Sequence, residues 1–215
     1  MSRYPDSIDK VVKYFAAVTR EPFTYKGVTY KPHPLHVSPG IVRGVDCPAH
    51  CGACCSRFSL DYIPHELKPG RVELRVVEFN DKKIEIWSDV QQDHNDHFCR
   101  YVQETDGRCR IYDRRPFTCD FELIRVRMSS TDTPHFMTTQ MYGRGWNMLQ
   151  IDRKTRGALC DVRGVTRDSK NETIRKLKRL NAWAVHFEIK TKIEEIIEWL
   201  EQDDRVIPEQ PLRIP

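Results

Sequence analysis

Residues 45–58 read VDCPAHCGACCSRF and place Cys47, Cys51, Cys54 and Cys55 within nine positions. Four thiols packed this closely constrain the fold more than any other feature of the chain. They suit one loop with convergent side chains better than cross-links between distant elements. Cys99, Cys109, Cys119 and Cys160 bring the total to eight. An even count in a small domain is the usual sign of a disulfide framework. The start of the chain, MSRYPDSIDKVVKYF, lacks the apolar core of a secretory signal. The expected compartment is therefore the reducing cytoplasm, where structural disulfides are rare.

A metal accounts for the crowding better. Short spacers let one loop wrap a cation or cluster with several thiolates, and Cys51-x-x-Cys54 is the minimal knuckle of many zinc and iron–sulfur sites. Gly52 between two of these cysteines permits a backbone conformation closed to other residues. Cys99, Cys109 and Cys119 recur at equal intervals through expected loop and hairpin positions. Four protein ligands are common to zinc and iron–sulfur sites. Eight thiolates are enough for two sites, or for one cluster with thiols to spare. Adjacent side chains diverge, so Cys54 and Cys55 serve different metals or only one of them is a ligand. The spacing of Cys47, Cys51 and Cys54 also resembles the radical S-adenosylmethionine signature. Those enzymes carry it in a larger partial β/α barrel, whereas this chain reads as hairpins.

Other donors are secondary. His50, His94 and His97 lie beside cysteines; His33, His36, Asp93 and Asp96 are ordinary polar loop residues in pattern. Cys54 or Cys55 beside Arg57 has the setting of a nucleophile only in an unmetallated protein. No P-loop, dinucleotide fingerprint or nucleophile elbow is present, so the sequence assigns no catalytic residue.

The chain of 215 residues is 39% hydrophobic and 31% charged, which allows a core but not a generous one. Metal staples are expected to supplement burial. The net charge of +4 is mild, and the one dense basic run is TIRKLKRL, with Arg175, Lys176, Lys178 and Arg179. A solvated helix face explains such a run, and binding of nucleic acid or of an acidic partner is the alternative. No run approaches the ~20 apolar residues that span a bilayer.

Periodicity supplies the elements. Ile8, Val11, Val12, Phe15 and Val18 share one helical face, so a helix is expected over 6–20. FTYKGVTY reads as a hairpin turning at Lys26-Gly27, and RVELRVVEF with KKIEIWSDV as a second turning at Asn80-Asp81. HFCRYVQETDGRCRIY is a third candidate, turning at Asp106-Gly107, and ELIRVRM with PHFMTTQMY a fourth. Ser169 and Glu172 form an S-x-x-E capping box before one long or two successive helices over 170–202. The expected fold is α+β: a small, loop-rich, metal-stapled domain with hairpins and a C-terminal helical element. Its expected divisions are an N-terminal extension (1–44), a cysteine-cluster domain (45–165) and C-terminal helices with a tail (166–215).

CPAHCGACC and CRIYDRRPFTCDF (residues 109–121) together resemble the YkgJ-like cysteine-cluster family, described as a zinc- or iron-chelating domain. The resemblance covers about residues 45–165 and implies a metal set of Cys47, Cys51, Cys54, Cys55, Cys99, Cys109, Cys119 and Cys160. Within it, Arg115-Pro116 rigidifies the entry to Cys119 and Arg115 offsets thiolate charge, while Tyr112 and Phe121 wall the site or simply pack. A longer enzyme, flagellin lysine N-methylase, has a similar cysteine pattern and an iron–sulfur centre. That likeness tilts the expected cofactor toward a 4Fe-4S cluster, with zinc as the alternative. The expected role is structural or electron-carrying, with the C-terminal helices docking a protein partner. A cluster-dependent modification enzyme stays open.

Overall fold

Ile8, Val11, Val12, Phe15 and Val18 form the buried stripe of helix α1 (Ser7–Val18), as their spacing predicts. The computed structural model describes residues 7–42, 45–46, 60–66, 68, 72–89, 101, 109–120, 124–128, 134–138, 161–162 and 166–215. The fold is α+β.

Two hairpins turn where the sequence predicts. Strands β1 (Phe23–Tyr25) and β2 (Val28–Tyr30) join through Lys26 (φ 48°) and Gly27 (φ 74°). The longer pair β6 (Val72–Phe79) and β7 (Lys82–Asp89) joins through Asn80 (φ 48°) and Asp81 (φ 58°). Left-handed φ at both central residues is the signature of a type I′ turn, whose twist matches that of the paired strands. Asn80 also ties the two hairpins: its Oδ1 accepts from the Thr24 N–H at 2.8 Å, and its own N–H donates to the Thr24 carbonyl at 2.9 Å. With β5 (Asp61–Tyr62) added on β7, the sheet order is β2-β1-β6-β7-β5.

A second sheet gathers strands from distant parts of the chain. The expected fourth hairpin forms from β8 (Ile124–Met128) and β9 (Pro134–Thr138). β3 (Leu35–Val37) runs parallel to β9, and β11 (Leu212–Ile214) runs antiparallel to β3 on its other side, giving the order β11-β3-β9-β8. β4 (Val45–Asp46) and β10 (Asp161–Val162) make a separate antiparallel pair, Asp46 opposite Asp161. For the third expected hairpin, residues 102–108 lie outside the described residues. Its two arms meet where the Arg110 N–H donates to the Tyr101 carbonyl at 2.7 Å.

The last third is two helices, α3 (Arg167–His186) and α4 (Ile193–Gln202). The start of α3 corrects the expected capping box by one turn. Thr166 is the N-cap: its hydroxyl accepts from the Ser169 N–H at 3.1 Å, and Ser169 Oγ accepts from the Thr166 N–H at 2.9 Å. A serine at the third helical position closes this box, so no glutamate is needed there. Glu172 instead pairs one turn on with Lys176 at 2.9 Å. The break between α3 and α4 falls at Glu188, held at φ 54°. There the Ile189 N–H reaches back to the Ala184 carbonyl at 2.9 Å, closing the helix end.

One core joins α1, β1, β3, α3 and α4. Phe79 is its hub, stacked on Phe23 at 5.1 Å and edge-on to Phe15 at 6.4 Å and Phe187 at 5.2 Å. From Phe187 the ring chain continues to Trp183 at 5.9 Å and Phe117 at 5.6 Å. Phe117 opens α2 (Phe117–Asp120), so this chain carries the core up to the second cysteine motif.

Left-handed positions make a paired prediction. Nothing lies within 4 Å of a Cβ built at Gly27, so Gly27→Ala tests backbone strain alone and should cost about 1 kcal/mol. Glu188→Gly should gain several tenths of a kcal/mol, since its exposed pairing with Lys82 contributes little. Urea denaturation monitored by circular dichroism checks both signs.

Candidate metal centre

Of the eight expected ligands, Cys109 and Cys119 lie among the described residues; Cys47, Cys51, Cys54, Cys55, Cys99 and Cys160 lie outside them, as do Gly52 and Phe121. The segment between the two described cysteines folds as a chain of short turns. Tyr112–Arg114 makes a 3-10 turn, and Pro116, whose fixed φ suits a helix start, leads into α2. The Tyr112 N–H donates to the Cys109 carbonyl at 3.2 Å and the Cys119 N–H to the Pro116 carbonyl at 3.0 Å.

Arg115 stands at the centre of this segment. Its guanidinium lies 3.8 Å from the centroid of the Tyr112 ring, Nε donates to the Tyr112 carbonyl at 3.1 Å, and Nη2 donates to Asp120 Oδ1 at 3.2 Å. Tyr112 is thus a platform for Arg115. Burial disfavours the Arg115 charge, but Tyr112 and Asp120, followed by Cys119 and Cys109, more than offset it and raise its pKa. Arg115 is thus a fixed cation within electrostatic reach of both thiols. Burial pushes the Cys109 thiol above its ordinary pKa, against a backbone hydrogen bond at Ile111 and the charge of Arg115.

Behind Cys119 stands a small apolar cluster apart from the main core: Leu60 and Tyr62, with Val72, Trp87 and Tyr101 packed against them. Nothing local in the sequence marks these residues as neighbours of a cysteine. They meet through the pairing of β5 with β7, Tyr62 opposite Trp87, and of β6 with β7.

The side chains least expected here are ionic. Asp120, 2% exposed, receives Arg115, Arg175 at 2.8 Å and Arg179 at 2.9 Å. Burial alone would raise its carboxyl, but the Arg175 hydrogen bond and the charges of Lys176, Arg115 and Arg175 hold it below the usual carboxylate range. Glu66 accepts from Arg179 at 2.7 Å and from the Phe117 N–H at 3.0 Å. Lys178, the remaining cation of TIRKLKRL, pairs with Glu201 at 2.9 Å. Each cation of the basic run thus has an acidic partner within the chain. An i, i+4 pair of arginines on a helix, together with an aspartate next to a cysteine, was the one available signal for this clamp. Glu66, in IPHEL, carried none.

The donor set fits a thiolate-ligated metal. Cys109 and Cys119 are half-buried thiols, not half-cystines. A guanidinium lies within electrostatic reach of both, and Cys119 packs against apolar side chains, features that tune such centres. Among the described residues no three His, Cys, Asp or Glu side chains gather into a metal site. The expected outcome for the clamp is that Asp120→Asn destabilises the chain by ~3 kcal/mol, because it strands buried arginine charge. Lys178→Met, at an exposed pair, should cost under ~1 kcal/mol in the same urea titration.

No curated protein and no solved structure matches the chain. No described helix is long and apolar enough to cross a membrane. Residues 46–139 match the family model CxxCxxCC, described as "putative zinc- or iron-chelating domain". The match includes Cys47, Cys51, Cys54, Cys55, Cys99 and the Cys109–Cys119 half-motif that carries Arg115. Over residues 46–139, less than half of its length, the chain is similar to this cysteine-cluster family of metal-chelating domains.

Proposed function

We propose that the chain holds an iron–sulfur cluster in a split nest of cysteines, with Cys47, Cys51, Cys54 and Cys55 from one half and Cys99, Cys109, Cys119 and Cys160 from the other. The observation that carries this reading is the Cys109–Cys119 segment itself, in which Tyr112 and Asp120 fix the Arg115 guanidinium within electrostatic reach of both thiols and apolar side chains pack against Cys119. A cluster with its thiolates concentrates negative charge, and a fixed guanidinium beside two of them offsets it. The apolar wall favours a centre whose potential is set by exclusion of water. Backbone pairing supports including the first and last cysteines. Asp46 is directly opposite Asp161; in the sequence Cys47 follows the one and Cys160 precedes the other. The eight thiols exceed the four that either one zinc ion or one cluster takes, which leaves room for a second centre.

When bound, the cluster supplies either one-electron redox chemistry or a cross-link for a loop-rich segment. The residues of the chain position thiolates, offset their charge and limit water. The C-terminal helices are the surface proposed for a protein partner, and the cytoplasm is the proposed compartment, where thiolates stay reduced.

Anaerobically purified protein should be coloured, with broad visible absorbance and with iron and acid-labile sulfide in comparable amounts. Colourless protein with stoichiometric zinc overturns the cluster and leaves a zinc staple. Cys119→Ser should lower bound metal to less than about half that of the unsubstituted chain; unchanged metal content would remove Cys119 from the ligand set.

A further inference from the structure

The basic run of α3 lies beyond residues 46–139, yet its two arginines reach the segment that carries Cys119. Arg179 makes most of the connections. Nη1 donates to Asp120 Oδ2 at 2.9 Å, while Nη2 donates to Glu66 Oε1 at 2.7 Å and to the Arg115 carbonyl at 3.1 Å. Its guanidinium also lies 5.8 Å from the centroid of the Phe117 ring. Glu66 in turn accepts the Phe117 N–H through Oε1 and the Ile63 N–H through Oε2 at 3.3 Å. The Arg179 guanidinium therefore holds residue 115 at its carbonyl and residue 120 at its carboxylate, and it pairs with the Glu66 carboxylate that holds residue 117 at its amide. Cys119 sits inside this bracket.

We infer that Arg179 is a positioning residue of the metal centre, so that helix α3 forms part of a site whose ligands all lie outside it. The inference rests on the metal-binding reading above. It follows from what the fork can do: a planar guanidinium satisfies several fixed acceptors at once, whereas an ammonium on a flexible stem cannot match that geometry. Arg175 is half exposed and adds one bond to Asp120, and Lys178 is exposed and faces Glu201. Neither reaches the backbone of the loop in the way Arg179 does. Groups that orient metal ligands from outside the coordination sphere contribute about 10–100-fold in affinity when removed. Arg179 acts through the loop, which sets the expectation at the lower end.

The test uses the full-length protein with the metal it carries on anaerobic purification. Excess EDTA is added, and the metal remaining on the desalted protein is followed with time for the unsubstituted chain, Arg179→Met, Arg179→Lys and Lys178→Met. Arg179→Met should lose metal about tenfold faster, Arg179→Lys should recover part of the difference, and Lys178→Met should match the unsubstituted chain. Release from folded Arg179→Met within about twofold of the unsubstituted rate overturns the inference and leaves the metal-binding reading intact. Circular dichroism reports folding. Should Arg179→Met fail to fold, Glu66→Gln carries the test, since it keeps shape and acceptor and removes one charge. Faster release supports the inference and an unchanged rate overturns it. An unsubstituted chain that holds no metal brings down the metal-binding reading and this inference together, before any variant is compared.

Discussion

Asp120 is a buried carboxylate, and the arrangement around it exists to keep it charged. An ion this far from water is tolerated only when paired and hydrogen-bonded. Here three guanidiniums reach it, two from a helix more than fifty positions away and one from its own loop. Such networks add little net stability compared with an apolar core of the same shape. What this one contributes is selection among arrangements. With Arg175 and Arg179 one turn apart on α3, a single rotation of the helix satisfies both Asp120 and Glu66. The same rotation turns Ile174, Leu177, Leu180 and Trp183 into the core. Ionic and apolar demands agree on one docking of α3, and that docking fixes the loop from Arg115 to Asp120.

The cysteine motif consequently sits at a seam. On one side lies the large aromatic core, delivered to the loop by Phe117 and Trp183. On the other lies the small cluster around Tyr62 and Trp87, built by strands that belong to the hairpin sheet. Cys119 packs against the second while its neighbours on α2 pack against the first. A loop of this kind is too short to form a core of its own, and it borrows rigidity from both.

Local patterns were readable in advance, and long-range ones were not. The spacing of Ile8 through Val18 gave α1. Lys26-Gly27 and Asn80-Asp81 gave both tight turns, because few residue pairs accept two left-handed conformations in succession. The start of α3 was read a turn late because Ser169 and Glu172 match the commoner form of the capping box, while the box actually built uses a serine hydroxyl in place of the carboxylate. The clamp was hidden for another reason. TIRKLKRL announces positive charge but not its direction, and direction depends on where Glu66 and Asp120 arrive through separate strands and turns. The parallel pairing of β3 with β9 likewise joins segments with no shared signal beyond short β-branched or aromatic runs. Of the candidate site, sequence motifs singled out Cys109, Cys119, Tyr112 and Arg115; they missed Glu66, Asp120, Arg179 and the cluster around Tyr62.

The sheet order β11-β3-β9-β8 also bears on how the molecule is made. Residues 35–37 leave the ribosome early and wait for two later partners, one on each edge of the same strand. The second of these, residues 212–214, emerges only after the entire cysteine segment and both C-terminal helices. Sheets built from such distant pairings close slowly and expose unpaired edges while they wait. All eight cysteines are therefore synthesised before this sheet can close. Metal acquisition and vectorial synthesis compete for the same interval.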